Sequence, residues 1–345
     1  MEKEARQVPD VIAKQMTENL DIWTSLAKRL RKDPPSFAMT VARGSSDHAA
    51  TYAKYLLETK LGLITASAAP SVLTLYGTHM YEKGGLVIGI SQSGGSPDIC
   101  ELMEEARKRG TVTIAIVNKT DSPMAKAAEY VVPMHAGEEK AVAATKSYLA
   151  SLSALLQFIT VCTGEKELTE SLSKLPDTLR ASLTMDWEPA ISRLKAITDT
   201  LVIGRGYGFP AALEAALKFK ETSAIHAEAF SGAEVLHGPF ALVRKDYPVM
   251  MFTQNDVSLE GMLDLAKKIR SLGAETLMAV PEKLLSASQL AETASMVLPL
   301  PESINPLCDP LMTIQAFYIM IARLAVSRGF DPDSPDNLKK VTETL

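Results

Sequence analysis

The chain reads as an α/β protein of two tandem, doubly wound parallel-sheet domains related by an internal repeat. Three observations predict this. Short unbroken apolar runs, such as Leu86-Val-Ile-Gly-Ile and Thr111-Val-Thr-Ile-Ala-Ile-Val, alternate with stretches of helical period, the pattern of parallel strands covered on both faces. The runs come in the same order twice: Arg43 and Gln92 recur as Arg205 and Gln254, 162 positions on in each case. The 345 residues, 46% of them hydrophobic, are enough for two domains with separate cores.

Taken in order, residues 1–30 form an N-terminal helical segment, with one helix from Val8 to Arg31. The first domain spans 31–165. Its opening strand, from Phe37, ends in Arg43-Gly-Ser-Ser and is followed by an alanine-rich helix from His48 to Glu58. The next strand, Leu86 to Ile90, runs into Ser91-Gln-Ser-Gly-Gly-Ser-Pro and a helix opening at Asp98. That helix stops near Gly110, where a C-cap glycine is expected. Strands from Thr111 and Ala128 follow, then a long helix from Ala144 to Val161. Residues 166–195 read as a helical linker. The second domain, 196–330, repeats the plan with strands from Thr200, Pro248, Thr276 and Ala294. Its alanine-rich helix runs from Pro210 to Thr222, its amphipathic helix ends near Gly273, and a helix from Pro310 to Arg328 closes it. Residues 331–345 form a tail expected to close the site.

Composition excludes several functions. The net charge is −5 with acids and bases interspersed, and no basic block suits a nucleic acid. The apolar runs are too short for a bilayer and the N-terminus is charged, so no membrane partner is expected. Cys100, Cys162 and Cys308 are isolated, which fits a reducing cytoplasm rather than a disulfide framework. His48, His79, His135, His226 and His237 show no metal-ligand spacing, so neither metal nor cofactor is expected.

Two constellations carry chemistry. The Ser91–Ser96 turn joins a strand to a helix, so free N–H groups of the first helical turn point at a ligand and the helix dipole favours an anion. Glycines allow close backbone approach and Ser91, Ser93 and Ser96 add hydroxyls, so the expected ligand is a phosphate. The equivalent turn of the second half, Thr253-Gln-Asn-Asp, places a carboxylate where an anion would sit. The other constellation is Leu213 to Phe230, where Lys218 and Glu221, with Glu214, share a helix face. That face is either a solvated ion-pair stripe or part of a site. His237, set before Gly238-Pro239, is either a loop histidine or an acid/base partner of Glu221.

The motifs Arg43-Gly-Ser-Ser, Ser91-Gln-Ser-Gly-Gly-Ser, Val142-Ala-Ala-Thr-Lys-Ser, Ala216-Leu-Lys-Phe-Lys-Glu, Leu236-His-Gly-Pro and Pro335-Asp-Asn-Leu-Lys-Lys together resemble the double sugar-isomerase (SIS) domain family, in particular the isomerase half of glucosamine-6-phosphate synthase. The resemblance covers about residues 25 to 345 in order, without a preceding glutaminase domain. It implies that Ser45 or Ser46, with Ser91, Gln92, Ser93 and Ser96, binds the sugar phosphate. It further implies that Glu221 moves a proton between C1 and C2, that His237 opens the ring from a partner subunit of a homodimer, and that Lys340 engages the open-chain carbonyl. Lys218 and Glu139, with Val142 and Ala143, would line the site. Ser96 stands where the synthase has threonine, and Ala144 where it has serine. Lacking the ammonia-generating domain, the chain looks most like SIS-type glucosamine-6-phosphate deaminases. A fructosamine 6-phosphate deglycase, a galactosamine-6-phosphate deaminase or isomerase, and a non-catalytic sugar-phosphate sensor are the alternatives.

Overall fold

A computed structural model describes residues 1–79 and 83–340. They form two compact units. One comprises residues 1–9, 140–145 and 173–338; the other comprises 10–139, 146–172 and the last two described residues, Lys339 and Lys340. Residues 1–9 therefore belong with the second sheet, and the helical stretch expected as a linker contains the helices Lys166–Ser182 and Glu188–Leu194.

The unit holding the first sheet has strands β1 (Phe37–Val41), β2 (Thr65–Ser67), β3 (Gly85–Ser91), β4 (Val112–Val117) and β5 (Tyr130–Pro133). They lie in the order β2-β1-β3-β4-β5, all parallel. Central strands β3 and β4 are buried almost throughout, which is why they read as unbroken apolar runs instead of alternating. One face packs Val87, Ala115 and Val117 against Ile99, Leu102, Met103 and Ala106 of the helix Pro97–Lys108. Those four helix positions form one apolar stripe, and burying Ile99, Leu102 and Met103 contributes about 1.5–3 kcal/mol each. This helix ends before Gly110, whose φ of 82° is the left-handed conformation expected of a C-cap glycine.

The second sheet has β6 (Asp199–Gly204), β7 (His226–Ser231), β8 (Pro248–Phe252), β9 (Glu275–Pro281) and β10 (Met296–Leu300), again all parallel. Its order, β10-β9-β8-β6-β7, is that of the first sheet read from the other edge, so the repeat in the sequence is a repeat of topology. Helix Asp309–Ser327 packs against helix Phe209–Ser223, with Phe317 and Phe219 edge to face at 5.4 Å. By length and composition this helix could cross a bilayer, contrary to the expectation that every apolar run is too short. Most of it is buried in the fold, as a core helix is.

Two further differences from the sequence reading have physical causes. The helix expected over Val8 to Arg31 is two, Val8–Glu18 and Leu20–Lys32. They part at Asn19, whose buried side chain donates to Pro133 O at 2.8 Å and meets His135 Nε2 at 3.0 Å. Strand β7 starts where Ala224, at φ 49° and ψ 38°, ends the preceding helix in the left-handed conformation.

Candidate active site

In each sheet the chain changes direction between its first and third strands, and ligands of such sheets bind in the crevice beyond the carboxyl ends at that point. In the first sheet, β1 delivers Arg43, Gly44, Ser45 and Ser46 to this crevice and β3 delivers Ser91 to Ser96. Each stretch opens a long helix, Ser45–Leu61 and Pro97–Lys108, so two helix N-termini lie on adjacent strands. The two turns are joined by Arg43 Nη2 donating to Asp98 Oδ2 at 2.5 Å. The Asp98 carboxylate is buried and neutralised there, so it does not oppose an anion at the turn.

The turn itself is tightly specified. Ser91 Oγ accepts from Gly94 N at 3.0 Å, and Gly94 O accepts from Met124 N at 3.0 Å. Gly94 has φ 63°, and a Cβ placed there would lie 2.2 Å from Ser122 Oγ, so only glycine fits. Ser96 caps the helix by backbone alone, with no side-chain cap bond, and Pro97 takes the first helical position. The structure thus brings Ser45, Ser46, Ser91, Gln92, Ser93 and Ser96 to two neighbouring turns at one switch point.

The second constellation is not a solvated stripe. Glu214 and Lys218 are both fully buried in helix Phe209–Ser223. Lys218 Nζ lies 3.1 Å from Glu214 Oε1 and 2.6 Å from Glu221 Oε2. Desolvation by burial works against the ammonium, but the two carboxylates outweigh it and hold the Lys218 pKa above its ordinary value. Glu221, with 22% of its side chain exposed, is the member that meets solvent. It lines a cavity of about 440 Å³ with Thr222, Ala224, Phe330, Asp331 and Asn337. A carboxylate at a cavity rim, backed by a buried ammonium, is equipped to take and return a proton.

The remaining residues fall into three groups. Glu139 is buried and accepts from Ser147 N at 3.0 Å, Ser147 Oγ at 2.8 Å and Lys340 Nζ at 2.9 Å. Val142 and Ala143 lie in the segment 140–145, where Val142 N donates to Asp333 O at 3.0 Å and Glu4 Oε1 accepts from Lys140 N. His237 follows the short 3-10 turn Glu234–Leu236 and is exposed; within its unit it is not bonded to Glu221. Sequence reasoning missed Ser147 as the holder of Glu139 and Tyr318, whose hydroxyl donates to Glu214 Oε1 at 2.9 Å. Neither stands within one helical turn of its partner, so no local spacing could have marked them.

The SIS domain model matches residues 38–161 and 197–327, one match on each sheet. Among known proteins, the isomerizing glutamine–fructose-6-phosphate aminotransferase of Thermococcus kodakarensis is 31% identical over 99% of this chain and 57% of its own length. The chain spans about half the length of the curated relatives it matches. Of solved structures, a protein from Silicibacter pomeroyi DSS-3 described as a phosphosugar isomerase has a TM-score of 0.89 and 35% identity, covering 96% of this chain and 99% of that one. The glucosamine-6-phosphate deaminase of Thermotoga maritima has a TM-score of 0.73 and 25% identity, covering 98% of this chain and 100% of that one. With both sheets matched and a relative similar along its whole length, the chain belongs to the SIS domain family.

Proposed function

We propose that the chain is a phosphosugar isomerase acting on an amino sugar, converting glucosamine 6-phosphate to fructose 6-phosphate and ammonia. The observation that carries this reading is Glu221, a partly exposed carboxylate on a cavity rim, 2.6 Å from a fully buried ammonium. Likeness to a glucosamine-6-phosphate deaminase along the full length of both chains supports the amino sugar as substrate.

In this reading the 6-phosphate docks at Ser91–Ser96 with Ser45 or Ser46, and its binding energy fixes the reacting carbons elsewhere in the sugar. His237 assists ring opening to the 2-amino aldehyde; its exposed ring suits delivery to a second copy in a homodimer. Glu221 takes the C2 proton as O1 gains one, giving an enolamine, and then returns its proton to C1. The nitrogen gives up one N–H proton, offsetting the proton gained at O1, and the product is a C2 imine. Water adds at C2, the C–N bond breaks, and ammonia leaves with fructose 6-phosphate. Lys340, held by Glu139 at 2.9 Å, is the cation for the open-chain oxygen.

The test is ammonia release from glucosamine 6-phosphate, run beside the galacto epimer and a fructosamine 6-phosphate. Ammonia from the gluco substrate, lost in Glu221→Gln while sugar-phosphate binding persists, is the expected result. Free amino acid from the fructosamine with no ammonia from either hexosamine would replace this reading with a deglycase.

A further inference from the structure

We propose that Tyr318 is a positioning residue that sets how firmly Lys218 holds Glu221; this rests on the reading of Glu221 as the proton carrier. Tyr318 is fully buried on helix Asp309–Ser327, and its hydroxyl donates to Glu214 Oε1 at 2.9 Å. That oxygen is the same one that lies 3.1 Å from Lys218 Nζ. One carboxylate oxygen therefore divides its charge between a phenol and an ammonium. The ammonium divides its own between Glu214 and Glu221. In a dry environment such chains of hydrogen bonds are coupled, so a change at the phenol reaches the solvent-facing carboxylate.

The direction follows from the geometry. Without the phenol, Glu214 has less neutral stabilisation and leans more on Lys218. Lys218 then stabilises the charged form of Glu221 less, and Glu221 keeps its proton to higher pH. Other charged groups near Glu221 are Lys220 on its own helix and Asp331 and Asp336 on the segment lining the cavity. On the strands packed against this helix, Asp199 pairs with Arg244, and His226 lies 3.8 Å from Glu228. Tyr207 stands at the helix entry. On the helix that carries Tyr318, Asp309 accepts from Ser303 Oγ at 2.6 Å and Arg323 lies 3.3 Å from Glu2, and Arg328 just beyond it donates to Ser223 O at 2.8 Å; Tyr318→Phe changes the charge of none of these groups.

The experiment is the pH dependence of kcat/KM for glucosamine 6-phosphate in the full chain, Tyr318→Phe against wild type. The substrate phosphate also titrates, with a pKa of about 6, but its contribution is common to both proteins and cancels in their ratio. The acidic limb of Tyr318→Phe should move upward by roughly half to one pH unit, a three- to tenfold loss on the acid side with the plateau retained. Glu214→Gln removes the charge through which Tyr318 works. Alone it should move the limb the other way, and in its background Tyr318→Phe should add nothing. A loss that is uniform with pH, a limb that stays or moves down, or an equal shift in the Glu214→Gln background overturns the inference. Full turnover in Glu221→Gln overturns the underlying function instead, so the two failures are told apart.

Discussion

Replacing Lys218 by methionine tests the buried trio directly. The side chains are of similar length, so the substitution removes the charge and opens little space. Glu214 is then left as a fully buried carboxylate without its ammonium. Removing one partner of a buried pair costs about 3–5 kcal/mol, because the remaining charge stays out of water. Glu221 adds little, since its exposed oxygen can turn to solvent. At about 2–4 °C per kcal/mol, the unit should melt roughly 6–20 °C lower. The penalty should depend on pH with a definite sign. In the variant, burial raises the folded-state pKa of Glu214 above its unfolded value, so stability is present below the unfolded value and is lost as pH rises through the folded one. The gap to wild type therefore narrows on acidification. In wild type, the raised pKa of Lys218 confers stability that is full below the ordinary lysine value and fades only as pH climbs through the higher folded one. Urea unfolding at pH 8 and pH 5, with the double variant Glu214→Gln/Lys218→Met beside it, reads this out. A single variant within about 1 kcal/mol of wild type at pH 8 would mean the trio is solvated, and the argument from burial would fall.

Two other outcomes are expected. Gly94→Ala forces a side chain into a left-handed position and against Ser122, a strain of about 2–5 kcal/mol, so calorimetry should show sugar-phosphate affinity falling at least about tenfold; an unchanged Kd would remove the phosphate from this turn. Asp309 is buried and its pKa is pushed up to about 6, chiefly by desolvation, so wild-type stability should fall as pH rises from about 4 to 6. Asp309→Asn should flatten that slope in unfolding measurements, and a slope left intact would assign it to another carboxylate.

The parallel sheets were legible because a strand covered on both faces must be apolar along its length, as β3 and β4 are. Their duplication was legible because Arg43 and Gln92 have echoes at a constant offset. Two of the four edge strands, β2 and β7, were not, since they bury only part of their length and carry mixed residues. Nor was the state of Glu214 and Lys218. Helical spacing says which residues share a face but not what covers it, and the phenol that bonds Glu214 stands 104 residues away on another helix. The Arg43–Asp98 pair, 55 residues apart, is hidden for the same reason.

The two halves differ most at the turn where they should be most alike. In the second sheet, Asn255 N donates to Asp309 Oδ2 at 3.1 Å, and Ser258 N and Oγ donate to Asp256 Oδ1 at 2.8 and 2.6 Å. Ser258 stands at the N-cap of helix Leu259–Ser271 without a side-chain cap bond, and three donors of this turn are already given to carboxylates of the chain. Crowding two acids there has a cost, and the charge on Asp256 adds to the upward push on Asp309. In the first sheet the first turn of the corresponding helix carries one acid, Asp98, and Arg43 neutralises it. One switch point is thus filled by an internal anion while the other is left electrostatically open. On the proposed function, identical topology then serves a single phosphate turn, and the second half carries the buried Lys218 ammonium with Glu221 beside it.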